Sequence, residues 1–115
     1  MVGEMPSNKE RHVRGSTTGR PLMAALDLLG RRWTLRIMWE LRGGPLGARA
    51  LRERCSQMSS SVLYMRLREL REAELVRQRE DDDYELTEHG RLLGRAIEPL
   101  DQWARRWSAG RSPDD

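Results

Sequence analysis

The sequence predicts a mainly α-helical fold with one small β-hairpin, and two observations carry this prediction. Apolar residues recur at intervals of three and four from Pro21 onward, which is the spacing of amphipathic helices. Two short runs of strand-like composition, LVRQR and YELT, flank the acidic run Glu80–Asp83. The chain has 115 residues and 37% apolar content, enough for one modest core, so we expect a single domain.

The expected domain spans residues 21–110, between a disordered arm over residues 1–20 and a disordered tail over residues 111–115. Its first helix should begin at Pro21 and end at Gly30. A second helix lies in RRWTLRIMWEL, and the following Gly-Gly-Pro stops it. Both are predicted to be core helices, with inward faces formed by Leu22, Ala25, Leu26, Leu29, Trp33, Ile37, Met38 and Leu41.

Two further helices are predicted close together along the chain. The first is short and lies in GARALRERCSQ, and the second lies in MSSSVLYMRLRELREAEL. Ser59 is placed to cap the second helix, with Met58 packing on Leu63. The predicted inward residues are Ala48, Leu51, Cys55, Leu63, Leu67 and Leu70. Two short helices joined by a tight turn make a helix-turn-helix.

The remaining elements are a hairpin and a last helix. LVRQR and YELT form the two strands, with Glu80–Asp83 as their connection. Thr87 can cap the last helix, which Pro99 is expected to kink or interrupt. The order of all these elements is that of a winged helix-turn-helix, in which the acidic run becomes the tip of the wing.

The charge of the chain is unevenly distributed. Its net charge is +3, and of its 21 basic residues all but Lys9 are arginine, whose planar fork suits phosphate and guanine edges. Eight arginines and four glutamates lie between Ala48 and Arg79, whereas residues 80–88 contain six acids and no base. The positive charge is therefore local and favours a nucleic-acid partner without showing one.

Catalysis, metal binding and membrane insertion have little support in the sequence. His12 and His89 lack a nearby Ser or Cys partner, so we expect no enzyme and no cofactor. The run DDDYE lacks the glycine turn and spacing of a calcium loop, so we expect no metal. No apolar run approaches the length of a membrane span, and the polar start and lone Cys55 indicate a cytoplasmic protein with an inert, buried thiol.

Three segments carry a resemblance to a known family. They are ALDLLGRRWTLRIMWEL, MSSSVLYMRLRELREAELV and YELTEHGRLL. In this order and spacing, over roughly residues 20–107, they resemble the HxlR-type transcriptional regulators, which are winged helices related to the MarR type. The resemblance implies a homodimer that binds double-stranded DNA sequence-specifically, as repressor or activator, and that in some members senses electrophiles or small molecules.

The chain departs from the family pattern at three places. Many members have a sensing cysteine immediately before the proline that is here Pro21, and this chain has Arg20 instead. The family usually has glycine after the recognition helix, where this chain has Glu74, so the turn into the wing must form without the residue best suited to positive φ. The wing of the family is commonly longer and carries basic residues, so a short acidic wing puts wing contact with DNA in doubt.

The predicted DNA-binding surface centres on the recognition helix, which would enter the major groove with its hydroxyl-rich, basic outer face. Arg49, Arg52 and Arg66 would contact the DNA backbone. Arg77 and Arg79 either contact phosphate from the first strand of the wing or pair with the neighbouring acids. The complete predicted set is Ser59, Ser60, Ser61, Tyr64, Met65, Arg66, Arg68, Arg49, Arg52, Arg77 and Arg79.

The last helix carries two apolar stripes, more than one contact face can use. We expect the stripe of Leu93, Ile97 and Ala104 to pack on the body of the domain. The other stripe is predicted to form a twofold dimer interface, which would place two recognition helices about 34 Å apart. It consists of Leu92, Ala96, Leu100, Trp103 and Trp107.

Two alternative functions remain open. The acidic wing and Glu74 also suit a winged helix that has weak DNA affinity and acts as a protein-interaction or accessory module. An unidentified small-molecule effector could bind in a pocket at the dimer interface, lined by Trp33, Trp39, Trp103 or Met38. The simpler interpretation of these residues is that they belong to the core.

Overall fold

The computed structural model describes residues 20–111, which form five helices and a two-stranded antiparallel sheet. Apart from Arg20 and Arg111, the predicted arm and tail lie outside the described residues. The chain forms two compact units, and the boundary between them falls within the second helix, between Leu35 and Arg36. The elements are α1 (Pro21–Leu29), α2 (Thr34–Leu41), α3 (Ala48–Arg54), α4 (Ser60–Glu72), β1 (Val76–Gln78), β2 (Tyr84–Leu86) and α5 (Glu88–Ala109).

The first unit contains α1 and the start of α2. As predicted, α1 begins at Pro21 and ends at Gly30, whose N–H donates to the Leu26 carbonyl at 2.8 Å. No residue of α1 is buried, so the prediction of a core helix is wrong for the single chain. An apolar stripe on a helix indicates a face that packs against another surface. The stripe does not indicate whether that surface belongs to the same chain. Trp33 was predicted within the second helix, but it precedes α2 with a φ of 78°.

The second unit holds a continuous apolar core drawn from α2, α3, α4 and both strands. The inward faces predicted for α3 and α4 are confirmed, except that Ala48 is only half-buried. Each fully buried leucine stabilises the fold by roughly 2 kcal/mol relative to exposure. The buried apolar residues are Ile37, Met38, Leu41, Leu51, Cys55, Met58, Leu63, Leu67, Leu70, Val76, Tyr84 and Leu86.

The turn between α3 and α4 is tight because Ser56 and Gln57 both adopt left-handed backbone conformations, each with a φ of 59°. Arg52 holds this turn twice. Its backbone carbonyl accepts the Gln57 N–H at 2.7 Å, and its Nε donates to the Met58 carbonyl at 2.9 Å. Ser59 then caps α4 as predicted, its hydroxyl accepting a backbone N–H at 3.2 Å. These contacts fix where the recognition helix begins.

The turn from α4 into the wing closes around Glu74, which has a φ of 63°. The Leu75 N–H donates to the Leu70 carbonyl and the Glu74 N–H to the Arg71 carbonyl, both at 2.9 Å. These two bonds form the helix-ending motif in which glycine usually takes the left-handed position. The sequence-based expectation of a turn formed without glycine is therefore confirmed.

The hairpin forms as predicted, and it has a third backbone partner that the sequence analysis missed. The strands pair with Val76 opposite Leu86, Arg77 opposite Glu85, and Gln78 opposite Tyr84. Leu46, which precedes α3, exchanges two backbone hydrogen bonds with Tyr84, at 3.0 and 2.8 Å. A single bridging residue has no alternating pattern, so no sequence signal marked it.

The last helix, α5, begins at the predicted cap, where the Thr87 hydroxyl accepts the Gly90 N–H at 3.1 Å. It runs through Pro99 without interruption, so of the two expected effects of Pro99 the interruption is wrong and the kink stays a prediction. Proline removes the hydrogen bond to the carbonyl four residues earlier, that of Arg95. Both residues are exposed, so water can satisfy the freed carbonyl.

Candidate nucleic-acid interface

The outer face of α4 is set by its buried side, because Leu63, Leu67 and Leu70 point into the core. The opposite side is open to solvent and carries hydroxyl, aromatic, thioether and guanidinium groups within three helical turns. Backbone N–H groups at the start of α4 add partial positive charge. The residues that the sequence predicts on this outer face are all exposed there: Ser60, Ser61, Tyr64, Met65 and Arg68.

The capping residue Ser59 differs from the serines that follow it. Its hydroxyl oxygen accepts the Val62 N–H and lies 3.4 Å from the Ser61 hydroxyl. Ser59 therefore caps the start of α4. Such a cap stabilises the fold by roughly 1 kcal/mol. Contact between Ser59 and DNA stays a prediction.

The arginines of α4 fall into two groups. Arg68 and Arg71 form no ion pair with any acid among residues 20–111, and both are exposed. Arg66 lies 3.2 Å from a Glu69 carboxylate oxygen, and only 17% of its side chain is exposed. The prediction that Arg66 contacts the DNA backbone is not tested, and this ion pair counts against it.

Arg49 and Arg52 of α3, which are both predicted to contact the DNA backbone, differ in how exposed their side chains are. The Arg49 side chain is 94% exposed and lies 3.8 Å from Glu53, an arrangement that contributes little stability in water. Arg52 is half-buried, and its Nε donates to the Met58 carbonyl. Arg49 is therefore open to a phosphate, whereas Arg52 already holds the turn before α4.

The wing arginines pair with acids, which is one of the two arrangements left open by the sequence. Arg77 Nε lies 2.6 Å from a Glu85 oxygen on the opposite strand. Arg79 lies 3.1 Å from Asp81 and 3.6 Å from Glu85. The hydrogen bond from Arg77 is the first cause that lowers the pKa of Glu85. The wing therefore neutralises its own positive charge.

The tip of the wing is built by the acidic run. The Arg79 N–H donates to the Asp83 carbonyl at 2.7 Å, and Asp82 takes a left-handed conformation with a φ of 72°. The Asp81 carboxylate accepts the Asp83 N–H at 3.1 Å, and this bond is the first cause that lowers the pKa of Asp81. Aspartates suit such a turn because they tolerate positive φ and bond to nearby backbone N–H groups.

An open groove of about 580 Å³ separates α4 from the first strand of the wing. Its walls come from the last two turns of α4 and from all three residues of β1. Three of its lining side chains are arginines and one is acidic. The lining residues are Arg68, Arg71, Glu72, Val76, Arg77 and Gln78.

The stripe predicted to form a dimer interface is exposed on α5. The second stripe, which was expected to pack on the body of the domain, is half-buried at Leu93, Ile97 and Ala104. The rings of Trp103 and Trp107 stack with centroids 5.4 Å apart, yet about half of each side chain stays open, at 50% and 52%. The exposed residues of the predicted interface are Leu92, Ala96, Leu100, Trp103 and Trp107.

The other predicted features of the chain have plain structural roles or stay predictions. Cys55 is fully buried, and burial is the main cause that raises the pKa of its thiol, which suits an inert residue. Met38 belongs to the core, and Trp39 is half-buried with the Arg42 guanidinium 3.6 Å from its ring centroid. A ligand pocket involving Met38, Trp39, Trp33 or Trp103 stays a prediction.

Neither a membrane span nor a metal cluster is found in the described part of the chain. No helix between residues 20 and 111 combines the length and apolar character needed to cross a membrane. Within the same residues, no group of three or more His, Cys, Asp or Glu side chains is placed to hold a metal ion.

Comparisons with a family model, with a known relative and with solved structures all indicate the same family. The model of the HxlR-like helix-turn-helix family matches residues 28–112. The HTH-type transcriptional regulator YodB of Bacillus subtilis is 30% identical over 96 residues, covering 78% of this chain and 86% of the relative. The crystal structure of quinone-bound YodB superposes with a TM-score of 0.69 at 33% identity, covering 76% of this chain and 98% of that one.

A second solved structure agrees with this family. The structure of a possible HxlR family transcriptional factor from Thermoplasma volcanium GSS1 superposes with a TM-score of 0.70 at 27% identity. The match covers 79% of this chain and 87% of that one. The winged helix-turn-helix fold predicted from the order of the elements is therefore confirmed.

Proposed function

The chain belongs to the HxlR-like helix-turn-helix family and is a transcriptional regulator of that type, and we propose that it binds double-stranded DNA as a homodimer with α4 in the major groove. In this proposal Ser60, Ser61, Tyr64 and Met65 face the base edges. Arg68 reaches a base, and Arg49 contacts the backbone from α3. The cytoplasmic location predicted from the sequence fits this function.

One observation carries the proposal. The outer face of α4 combines exposed hydroxyls with Arg68, which pairs with no acid among residues 20–111. Three buried leucines and the turn that Arg52 closes hold this helix in place. A reading helix needs this combination, because base recognition depends on side chains presented from a fixed backbone. The protein-interaction alternative is not favoured, since the relatives are transcriptional regulators. We propose no catalytic activity.

The dimer belongs to the proposal and rests on the exposed stripe of α5. Trp103 and Trp107 leave a stacked aromatic surface in water, and large exposed apolar patches mark interfaces. A second copy of the chain would cover this stripe and present two α4 helices to one face of the duplex. Trp107→Glu is therefore expected to give a monomer in sedimentation and much weaker DNA binding.

A small-molecule effector is also part of the proposal. YodB has been solved with a quinone, and its relationship to this chain supports a response to a small molecule here. Arg20 stands where the resemblance places a sensing cysteine, and Cys55 is buried. We therefore expect an effector to bind without forming a covalent bond to a thiol.

The direct experiment is the selection of bound duplexes from random-sequence DNA. We expect a pseudo-palindrome with half-sites about one helical turn apart. Arg68→Ala should weaken binding to the selected sequence by about 1 to 3 kcal/mol and relax preference at one base pair in each half. Arg95→Ala is the control, because Arg95 is exposed on α5, outside the proposed interface. Selection that enriches no sequence would overturn sequence-specific binding.

A further inference from the structure

We infer that Arg71 clamps a phosphate of the DNA backbone in the groove between α4 and β1, so that the inner wall of the wing, rather than its tip, borders the duplex. The inference rests on the proposed function and adds Arg71 to the residues predicted from the sequence.

The position of Arg71 follows from the helical repeat. Arg68 and Arg71 are three residues apart, so they lie on the same flank of α4, one turn above another. This flank faces the wing, because both residues line the groove together with Val76, Arg77 and Gln78. A DNA strand leaving the major groove beside Arg68 would next pass Arg71.

The charged side chains that line the groove differ in whether an acid holds them. Arg77 is held by Glu85, and the Gln78 amide donates to the Asp82 carbonyl at 3.3 Å. Among residues 20–111, neither Arg68 nor Arg71 pairs with an acid, although Glu72 lines the same groove. The free positive charge on the walls therefore comes from α4.

Tyr84, which pairs with Gln78 across the hairpin, supports the same placement. Its ring is buried in β2, and burial is the first cause that raises the pKa of its phenol. Tyr64 raises this pKa further, and Arg71 acts in the opposite direction. The proposed reading residue Tyr64 and the proposed clamp Arg71 thus both act on the phenol of the same wing residue.

The open shape of the groove suits the sugar-phosphate backbone of DNA rather than an enclosed small-molecule ligand. The groove is open to solvent and holds about 580 Å³. An arginine at such a wall can approach a phosphate oxygen without losing contact with water, and its planar fork allows two parallel hydrogen bonds. The contact would carry no sequence information and would position α4 in the major groove.

Arg71 also has a purely structural role to be separated from the clamp. It lies in the last turn of α4, where a positive charge stabilises the helix by roughly 0.3 to 1 kcal/mol. Losing this role lowers the stability of the fold. Losing a phosphate contact instead lowers the dependence of DNA affinity on salt, by about 0.9 in the log–log slope for each phosphate.

The test measures the affinity of the full chain for one duplex of random sequence across a range of salt concentrations. Arg71→Gln should reduce the salt slope by about 0.9 per protomer, whereas Arg71→Lys, which keeps the charge, should retain most of it. Arg95→Gln removes the same charge from α5 and should leave the slope nearly unchanged. Thermal unfolding of each variant in the absence of DNA measures the structural role of Arg71 separately.

The outcomes distinguish this inference from the function on which it rests. If Arg71→Gln keeps the parental slope while the parent binds DNA, the clamp is overturned and the proposed function stands. If Arg71→Gln and Arg95→Gln reduce the slope equally, only overall charge matters, and the clamp is again overturned. If the parent binds no duplex even at low salt, the proposed function fails and the clamp fails with it.

Discussion

The recognition helix and the wing both present arginines, yet the two regions offer different charge to a partner. Arg68 and Arg71 on α4 have no acidic partner among residues 20–111. Arg77 and Arg79 on the wing are held by Glu85 and Asp81, at distances between 2.6 and 3.6 Å. The region from Ala48 to Arg79 looks evenly basic in the sequence. In the structure, its available positive charge is concentrated on the helices.

The difference between the two regions follows from the geometry of their elements. The antiparallel register places Arg77 directly opposite Glu85, and such cross-strand pairs meet closely. On α4, Arg68 precedes Glu72 by four residues, and this order is less favourable for pairing than glutamate before the base. A count of charges along a chain therefore overestimates the positive charge that a hairpin can offer.

The largest expected effect concerns the junction that keeps α4 and the wing in place. A Cβ on Gly90 would overlap the Leu75 carbonyl oxygen and lie 3.2 Å from the Leu86 Cβ. Gly90→Ala should therefore destabilise the fold by about 1 to 3 kcal/mol or more in urea unfolding. Gly94→Ala is the matched control: nothing lies within 4 Å of its Cβ, and a gain of roughly 0.5 to 1 kcal/mol is expected.

If Gly90→Ala were neutral, α5 would not be held against the residue that leads into β1, and the positions of the wing and α4 would not be coupled. The two glycines lie four residues apart on the same helix, so a difference in intrinsic helix preference cannot explain opposite signs.

A second prediction releases the wing arginines. Glu85→Gln removes the carboxylate shared by Arg77 and Arg79, so non-specific DNA binding should tighten, and the salt slope should steepen by up to about 0.9 for each arginine that gains a phosphate. Glu80→Gln removes the same charge from the wing tip, and Glu80 itself pairs with no arginine among residues 20–111. Equal effects of the two variants would show that the pairing itself does not matter.

The smallest expected effect concerns the turn between the two regions. Glu74→Gly places glycine at a φ of 63° and should raise the free energy of unfolding by about 0.5 to 1 kcal/mol. Ala73→Gly is the control, because Ala73 has an ordinary helical φ of −82° and glycine there should lower stability. Thermal unfolding of both variants checks this prediction, and a stabilising Ala73→Gly would contradict the assignment of the strain to Glu74.

The fold was largely predictable because most of its helices and strands have a local sequence pattern. Leu63, Leu67 and Leu70 give the period of α4, and Ser59 and Thr87 mark the starts of α4 and α5. What the sequence could not reveal depends on contacts between distant residues. The bridge between Leu46 and Tyr84 has no local pattern, and the exposure of α1 depends on what else is available to cover it.

The predicted site was resolved less completely than the fold, because a helical face does not reveal how its charges are used. Arg49 and Arg52 look alike in the sequence, yet one is open to solvent and the other bonds to the Met58 carbonyl. Arg71 was missed because its contribution depends on the groove that β1 forms beside it. The only available signal was its place one turn after Arg68 on the same flank.

The central claim is that the positive charge available to DNA lies on the helices, above all on α4, and not on the wing, and one measurement tests it directly. The dependence of duplex affinity on salt is compared among the parent, the double variant Arg68→Gln with Arg71→Gln, and the double variant Arg77→Gln with Arg79→Gln. The account predicts that the α4 variant reduces the log–log slope by at least about 0.9 per protomer and that the wing variant leaves it almost unchanged. A reduced slope in the wing variant, with the parental slope in the α4 variant, would contradict the account.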